Sequence, residues 1–391
     1  MTPPRPAMPR AIWALGFVSL LMDVSSELIH SLLPVFLATS LGVSAFAIGL
    51  LEGAAEATAL IVKVFSGALS DWWGKRKPLA LLGYGLGAAA KPLFALAQGA
   101  GLVVAARLLD RIGKGIRGAP RDALVADLAP PAIRGAAFGL RQSLDTVGAF
   151  LGPLLAIGLM LLWENDFRAV FWAATLPACL AVALLAFGVQ EPERPAESRR
   201  INPIRREALS RLPAAYWRVV GIGALLTLAR FSEAFLVLRA NQAGLAIAWT
   251  PLVLIAMNMV YAAAAYPCGR LADRMSHAAL FAWGCCVLIL AELLLAWGGP
   301  AGIALGILGW GLSLALTQGL LATMVADAAP ADLRGTAYGC FNLASGLAML
   351  VASGLAGLLW DRFGAAFTFL AGAACAALAL LFSSWPALRR G

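Results

Sequence analysis

Apolar runs near 20 residues recur along the whole chain, separated by short polar connections. Ala11 to Met22 opens the first of them. Pro78 to Ala97 (broken only by Lys91), Ala136 to Trp163, Phe167 to Val189, Ala278 to Trp297 and Phe367 to Trp385 follow. A helix of about 20 apolar residues crosses a bilayer core, and in lipid every backbone polar group must be paired within its own segment or in a closed barrel. The runs are far longer than the alternating strands of about 10 residues that build a membrane barrel. The pattern predicts an all-α polytopic membrane protein with spans near residues 11–38, 46–70, 78–97, 102–126, 136–162, 167–189, 216–240, 250–268, 278–297, 301–326, 336–359 and 365–385.

Composition agrees. Of 391 residues, 61% are hydrophobic and 13% charged, too apolar a mixture to cover a water-facing surface. The formal charge of +9 is a matter of topology. Lys and Arg collect at Arg5 and Arg10, in Lys75-Arg76-Lys77, at Arg194, Arg199, Arg200, Arg205, Arg206 and Arg211, at Arg270, Arg274 and Arg334, and at Arg389 and Arg390. The alternate connections, such as Thr39 to Ala45 and Gln98 to Gly101, carry almost none. By the positive-inside rule both termini face the cytoplasm of a multi-pass inner-membrane protein. The basic residues do not form the aromatic-interleaved surface of a nucleic-acid binder. Met1 to Arg10 is followed by no small-residue cleavage site, so the first helix is read as retained. All six cysteines fall in predicted spans and are read as buried small hydrophobes, neither a disulfide framework nor a zinc site.

The sequence repeats. Val125-Ala126-Asp127-Leu128-Ala129-Pro130, then Arg134-Gly135 and Phe138-Gly139, returns 200 residues later as Val325-Ala326-Asp327-Ala328-Ala329-Pro330, Arg334-Gly335 and Tyr338-Gly339. Gly67-Ala68-Leu69-Ser70-Asp71 is echoed by Gly269-Arg270-Leu271-Ala272-Asp273, and Ser26-Glu27 by Ser232-Glu233. A duplicated six-helix unit explains these offsets. The expected organisation is a cytoplasmic N-terminus (1–10), a six-helix bundle (11–189), a polar cytoplasmic linker (190–215), a second six-helix bundle (216–385) related to the first by pseudo-two-fold symmetry, and a cytoplasmic C-terminus (386–391).

Between the second and third helices, Gly67-Ala68-Leu69-Ser70-Asp71-Trp72-Trp73-Gly74-Lys75-Arg76-Lys77 sets glycines at a close approach and a tight turn, with a carboxylate before a basic cluster. This run resembles the cytoplasmic signature G-x-L-[AS]-D-x-x-G-[RK]-[RK] of the major facilitator superfamily. The resemblance implies a gate built from Gly67, Asp71, Gly74, Lys75 and Arg76 that stabilises the outward-facing state. Its second copy keeps Gly269 and Asp273 but has Ser276 and His277, which implies a weaker latch. Arg107, Gly113 and Gly115 resemble R-x-x-x-G-x-G-x-G, with Arg111 replacing the first glycine. Gly148-x-x-x-Gly152-Pro153 resembles the antiporter motif of the fifth helix, although Ala156 and Ile157 replace its last glycines. Plain helix packing is the other reading of that run. Asp110 to Arg117 with Pro120-Arg121-Asp122 is similar to a bacterial and archaeal subgroup, akin to proton antiporters of drugs or metabolites.

Ionisable groups inside a bilayer are costly and mark pathways, relays or buried pairs. Asp23, Glu27 and His30 share one face of the first helix; Glu52 and Glu56 stand one turn apart on the second. Arg107, Asp110, Arg111, Lys114, Arg117 and Arg121 stripe the fourth, and Arg141 and Asp145 stand a turn apart on the fifth. In the resembled family helices one, four, seven and ten line the cavity. Proton coupling is accordingly placed on Asp23, Glu27, His30 and Asp110. The substrate cavity is placed at Glu52, Glu56, Arg107, Arg111, Lys114, Arg230, Glu233, Asn258, Tyr261 and Gln318, with Trp310 for apolar contact. Lys91 is expected to pair with a carboxylate or snorkel.

The expectation is a secondary active transporter that exports a small organic molecule against protons by alternating access. Alternatives are proton-coupled uptake of an anionic metabolite drawn by the fourth-helix stripe, and divalent metal export through Asp23, Glu27 and His30 with Glu52 or Glu56. Gly113-Lys114-Gly115 lacks the phosphate-loop frame, so no ATP chemistry and no enzyme activity are expected. No cofactor and no resident metal are expected. The partners are solute, protons and lipid, and a monomer is the ordinary state for such a chain.

Overall fold

The computed structural model describes residues 7–73, 75–130, 133–191, 211–272, 275–330 and 333–383. Among them the chain is helical, in twelve spanning segments. We number these α1 (Arg10–His30), α2 (Ala45–Trp73), α3 (Lys77–Leu96), α4 (Ala100–Leu128), α5 (Arg134–Leu162), α6a (Phe167–Ala173) with α6b (Thr175–Gly188), and α7a (Ala214–Ala229) with α7b (Ala234–Gln242). The series continues as α8 (Leu252–Ala272), α9 (His277–Trp297), α10 (Pro300–Ala328), α11 (Arg334–Phe363) and α12 (Ala365–Ser383). Eleven are long and apolar enough to cross a membrane. The exception is α4, which has the length of its repeat partner α10, 29 residues, but carries the ion stripe.

Breaks in the helices have local causes. After His30, α1 passes through Leu33–Val35 into a π-helical stretch, Phe36–Ser40, around Pro34, which supplies no N–H. Pro177, near the start of α6b, cannot donate one turn back, and the helix is interrupted before it. The seventh span, expected to be continuous, divides at Arg230–Glu233 without Pro or Gly. There Ser232 Oγ accepts the Ala234 N–H (3.3 Å), and the Ser232 N–H donates to Ser353 Oγ (3.0 Å). A serine pair thus satisfies backbone groups that the break frees.

Packing divides the chain into two compact units. The first contains the chain up to Leu33 and from Thr58 to the linker; the second contains Pro34–Ala57 and the chain beyond the linker. In the first, α1 packs on α5 and α6b, and α3 on α4, around Ile12, Leu15, Met22, Tyr84 and Leu124. In the second, α9 packs on α10 and α12, and α8 on α10. Tyr216 anchors a smaller core with Val219 and Val325 and donates its hydroxyl to the Ala337 carbonyl at 2.8 Å. Phe231, Phe235, Trp310, Trp360 and Phe369 form a chain of ring contacts with centroids 5.4–6.2 Å apart. Large apolar side chains such as Phe65, Phe187 and Leu381 stand outward, as befits a lipid-facing surface.

Within the second unit, the first half of α2 crosses α11 through glycines. A methyl at Gly49 would lie 2.1 Å from the Ser353 carbonyl oxygen, and one at Gly357 would lie 2.3 Å from that of Ala45. The Asp361 carboxylate then accepts the N–H groups of Ala45 (3.0 Å) and Phe46 (2.8 Å), capping α2 from 315 residues away. Asp361→Ala is expected to lower stability by about 1 kcal/mol, the ordinary value of an N-cap, read as a lower thermal midpoint in detergent. Of the six cysteines, all free, only Cys268 and Cys285 are buried; Cys179 and Cys286 face outward, which corrects the expectation that all were buried.

Candidate functional site in the first unit

Close helix contact builds this site. A Cβ at Gly148 of α5 would stand 2.4 Å from the Leu20 carbonyl oxygen and 3.1 Å from Asp23 Cβ of α1. At Gly152 it would stand 2.6 Å from Glu27 Cβ. The two glycines therefore seat α5 against the two acidic residues of α1. One turn before Gly148, the Asp145 carboxyl lies within electrostatic range of that of Asp23. Two carboxylates this near one another repel when both are ionised. Asp145 also lies 3.5 Å from Arg141 and 3.7 Å from Arg121, whose guanidinium reaches Ser19 Oγ at 3.3 Å and Asp122 at 3.1 Å. Glu27 Oε1 lies 3.7 Å from His30 Nδ1. Lys114, the exposed member of the α4 stripe, is in electrostatic range of both Asp23 and Glu27.

Deeper lies an ion cluster. The Lys91 ammonium donates to Asp110 Oδ1 at 2.7 Å and to Ser26 Oγ at 3.1 Å; Arg111 Nε lies 3.3 Å from Asp110 Oδ2. Lys91, Asp110, Arg107 and Arg111 are each 1–2% exposed. Arg107 and Arg117 act on the same carboxylate, which thus faces four cations. Arg117 also covers the Tyr84 ring at 5.0 Å. Glycines again permit the approach: a Cβ at Gly113 would lie 2.6 Å from the Gly83 carbonyl oxygen of α3.

Of the expected coupling residues, Asp23, Glu27 and His30 share the α1–α5 face, and Asp110 lies in the ion cluster. The partners that sequence reasoning missed are Asp145 for Asp23 and Ser26 for Lys91. The position of Asp145 one turn before Gly148 was the available signal. Lys91 pairs with a carboxylate, as expected. Near the gate run, Arg76 pairs with Asp127 at 3.0 Å and its backbone N–H donates to the Glu191 carboxylate. Lys77 donates to the Ala186 carbonyl at 2.7 Å, a Cβ at Gly67 would touch Ala119 at 3.3 Å, and Lys75 is exposed. Gly74, Asp273 and the Asp71 side chain lie outside the described residues, and a Cβ at Gly269 would meet no described atom within 4 Å. Pro153 is buried in α5.

The second unit holds the remaining candidates. Glu52 is buried and Glu56 half-buried on α2. Arg230 ends α7a, and Glu233 precedes α7b. Asn258 and Gln318 are exposed and Tyr261 partly so. Trp310, expected to give apolar contact to solute, is 1% exposed inside the aromatic cluster. It stands on α10 where the repeat places Asp110 on α4, so one half holds ions where the other holds rings. Among the described residues no three His, Cys, Asp or Glu side chains converge as metal ligands.

Twelve helices of membrane-spanning length in two sequence repeats, with an ion network inside one of them, define a multi-pass membrane protein. The profile of the Major Facilitator Superfamily matches residues 15–353, and the chain belongs to that family. It is 33% identical over 381 residues to an uncharacterized MFS-type transporter of Methanocaldococcus jannaschii, covering 95% of this chain and 94% of that one. It is 31% identical over 172 residues to the multidrug resistance protein MdtH of Yersinia pestis, 44% of this chain and 41% of that one. A crystal structure of peptide transporter POT in complex with sulfate superposes with a TM-score of 0.77 at 16% identity, over 97% of this chain and 95% of the other, and shows the shared fold.

Proposed function

We propose that the chain is a proton-coupled antiporter that exports a small organic molecule by alternating access, with coupling carried on the α1–α5 face. The observation behind this reading is the Asp23–Asp145 contact beside Arg121 and Arg141. A proton between the carboxyls holds them together. When it leaves, the two charges repel and Asp145 is left to the guanidiniums of α4 and α5 that already stand 3.7 and 3.5 Å from it, so that Asp23 and Asp145 part. Glu27, one turn along α1 and beside His30, continues the path. Asp110, committed to Lys91 and Arg111, acts as a fixed counter-charge rather than as a carrier. The partial likeness to a multidrug resistance protein favours an organic substrate.

The burial of Arg107 and Arg111 speaks against a cation stripe that draws an anionic metabolite from water. The metal reading lacks a converging ligand set among the described residues. Alternating access then requires release of the α2–α11 clasp at Asp361. The proposed arrangement is an inner-membrane monomer with both termini cytoplasmic, consistent with the placement of Lys and Arg.

Purified protein in liposomes tests this directly. With a panel of lipophilic organic dyes, an imposed pH gradient should drive dye movement coupled to proton flow. Glu27→Gln should bring driven transport down to the level of empty vesicles while exchange of pre-loaded dye continues. Driven transport by the variant at the wild-type rate would remove Glu27 from the mechanism.

A further inference from the structure

Glu292 is the only carboxylic acid of α9, set in the apolar run Leu288-Ile289-Leu290-Ala291-Glu292-Leu293-Leu294-Leu295. It is 0% exposed, and neither carboxyl oxygen has a hydrogen-bond partner among the described residues. Space has been left for it: a Cβ at Gly372 of α12 would stand 2.7 Å from Glu292 Oε1 and 3.1 Å from the carbonyl oxygen of Ala229. Ala229 is the last residue of α7a, immediately before the break at Arg230–Glu233. A glycine gap, a buried carboxyl and the carbonyl end of a broken helix therefore meet at one point.

The chemistry of that point is selective. The last carbonyls of a helix lack intrahelical donors and carry its negative end, so they repel a carboxylate and accept from a carboxylic acid O–H. An unpaired ion at this depth costs several kcal/mol, roughly 2.5–3.5 by insertion scales. The groups that face Glu292 from packed elements do not neutralise it. From α12 comes the Cys375 thiol, close enough to interact electrostatically. The Arg239 guanidinium of α7b is bonded to the Leu295 and Ala296 carbonyls, at 2.8 and 3.3 Å. Arg230 is in electrostatic range of Cys285, two turns before Glu292 on α9. Toward α9, α10 directs Ser313 and Thr317, and α8 packs mainly on α10.

We propose that Glu292 is a second proton-binding site, in the C-terminal half, loaded and unloaded through the break in α7. The site binds a proton as its ligand. In the arrangement seen, the carboxyl holds its proton beside the end of α7a. Movement of the break admits water and brings Arg230 within reach as the counter-charge when the proton leaves. A carboxyl retained only for packing would keep its proton under all conditions. This assignment does not rest on the reading of Asp23 and Glu27.

Dicyclohexylcarbodiimide, an apolar reagent that adds to protonated carboxyls and rearranges to a stable N-acylurea, supplies the test. The full-length protein in liposomes is treated across a range of pH and mapped by peptide mass spectrometry. Glu292 should be modified at acid pH, with modification falling away at alkaline pH, and the infrared carbonyl band of a protonated carboxyl should be lost over the same range. The pH-dependent part of that band due to Glu292 should appear in the difference between wild type and Glu292→Gln, whatever other protonated carboxyls contribute to both. Modification that stays equal at all pH values, or that never occurs, overturns the proposal, and both outcomes are read on the wild-type chain. Repeating the mapping in Glu27→Gln separates the sites: Glu292 should titrate as before even where driven transport is lost.

Discussion

Asp110→Asn is expected to destabilise the protein by about 3–5 kcal/mol, the usual cost of breaking a buried ion pair from one side. The variant would leave Lys91, Arg107, Arg111 and Arg117 facing one another without their common carboxylate. Lys91→Met should cost less, because Arg111 still neutralises Asp110 and the long methionine fills the space. Asp110→Glu, which keeps the charge, should recover part of the loss. The measurement is the thermal midpoint of purified protein in detergent, followed with a thiol-reactive dye that reports the buried Cys268 and Cys285 as they become accessible. A wild-type midpoint for Asp110→Asn would mean that the four cations are neutralised elsewhere.

Gly152→Val should separate stability from coupling. The new side chain would begin 2.6 Å from Glu27 Cβ and 3.0 Å from the Val24 carbonyl oxygen, so α1 and α5 must part. Overpacking of this kind costs about 1–3 kcal/mol, whereas the Asp23–Asp145 contact depends on register and should be lost altogether. Driven transport is thus expected to fall to background in protein that still folds, with Gly152→Ala intermediate. Gly158, on the same helix with nothing within 4 Å of its missing Cβ, provides the control. If Gly152→Val and Gly158→Val behave alike, the close contact has no part in coupling.

The helices were legible because lipid enforces their pattern: long apolar runs for the spans, basic clusters for the connections, and repeated Asp127 and Asp327 for the duplication. The first-helix acids and Lys91 were legible for the same reason, since each interrupts an apolar run. What could not be read was the pairing between helices. Asp145 meets Asp23 because Gly148 fixes the register of α5 on α1, which no single helix encodes. Trp310 was assigned to solute since α10 is apolar nearly all round and shows no preferred face, whereas packing turns the ring into the Phe231 and Phe369 cluster. The break in α7 was invisible because Ser232 and Ser353, not Pro or Gly, sustain it.

The exceptional polarity of α4 also bears on how the chain enters the membrane. A helix carrying Arg107, Asp110, Arg111, Lys114 and Arg117 gains little from leaving water alone, and each unpaired charge opposes insertion. Its Asp110 is neutralised by Lys91 of α3, the helix synthesised just before it and packed most extensively against it. The two spans form a hairpin in which the one carboxylate of the stripe meets its partner on the preceding helix, so the cost of burying Asp110 is offset between neighbours in the chain.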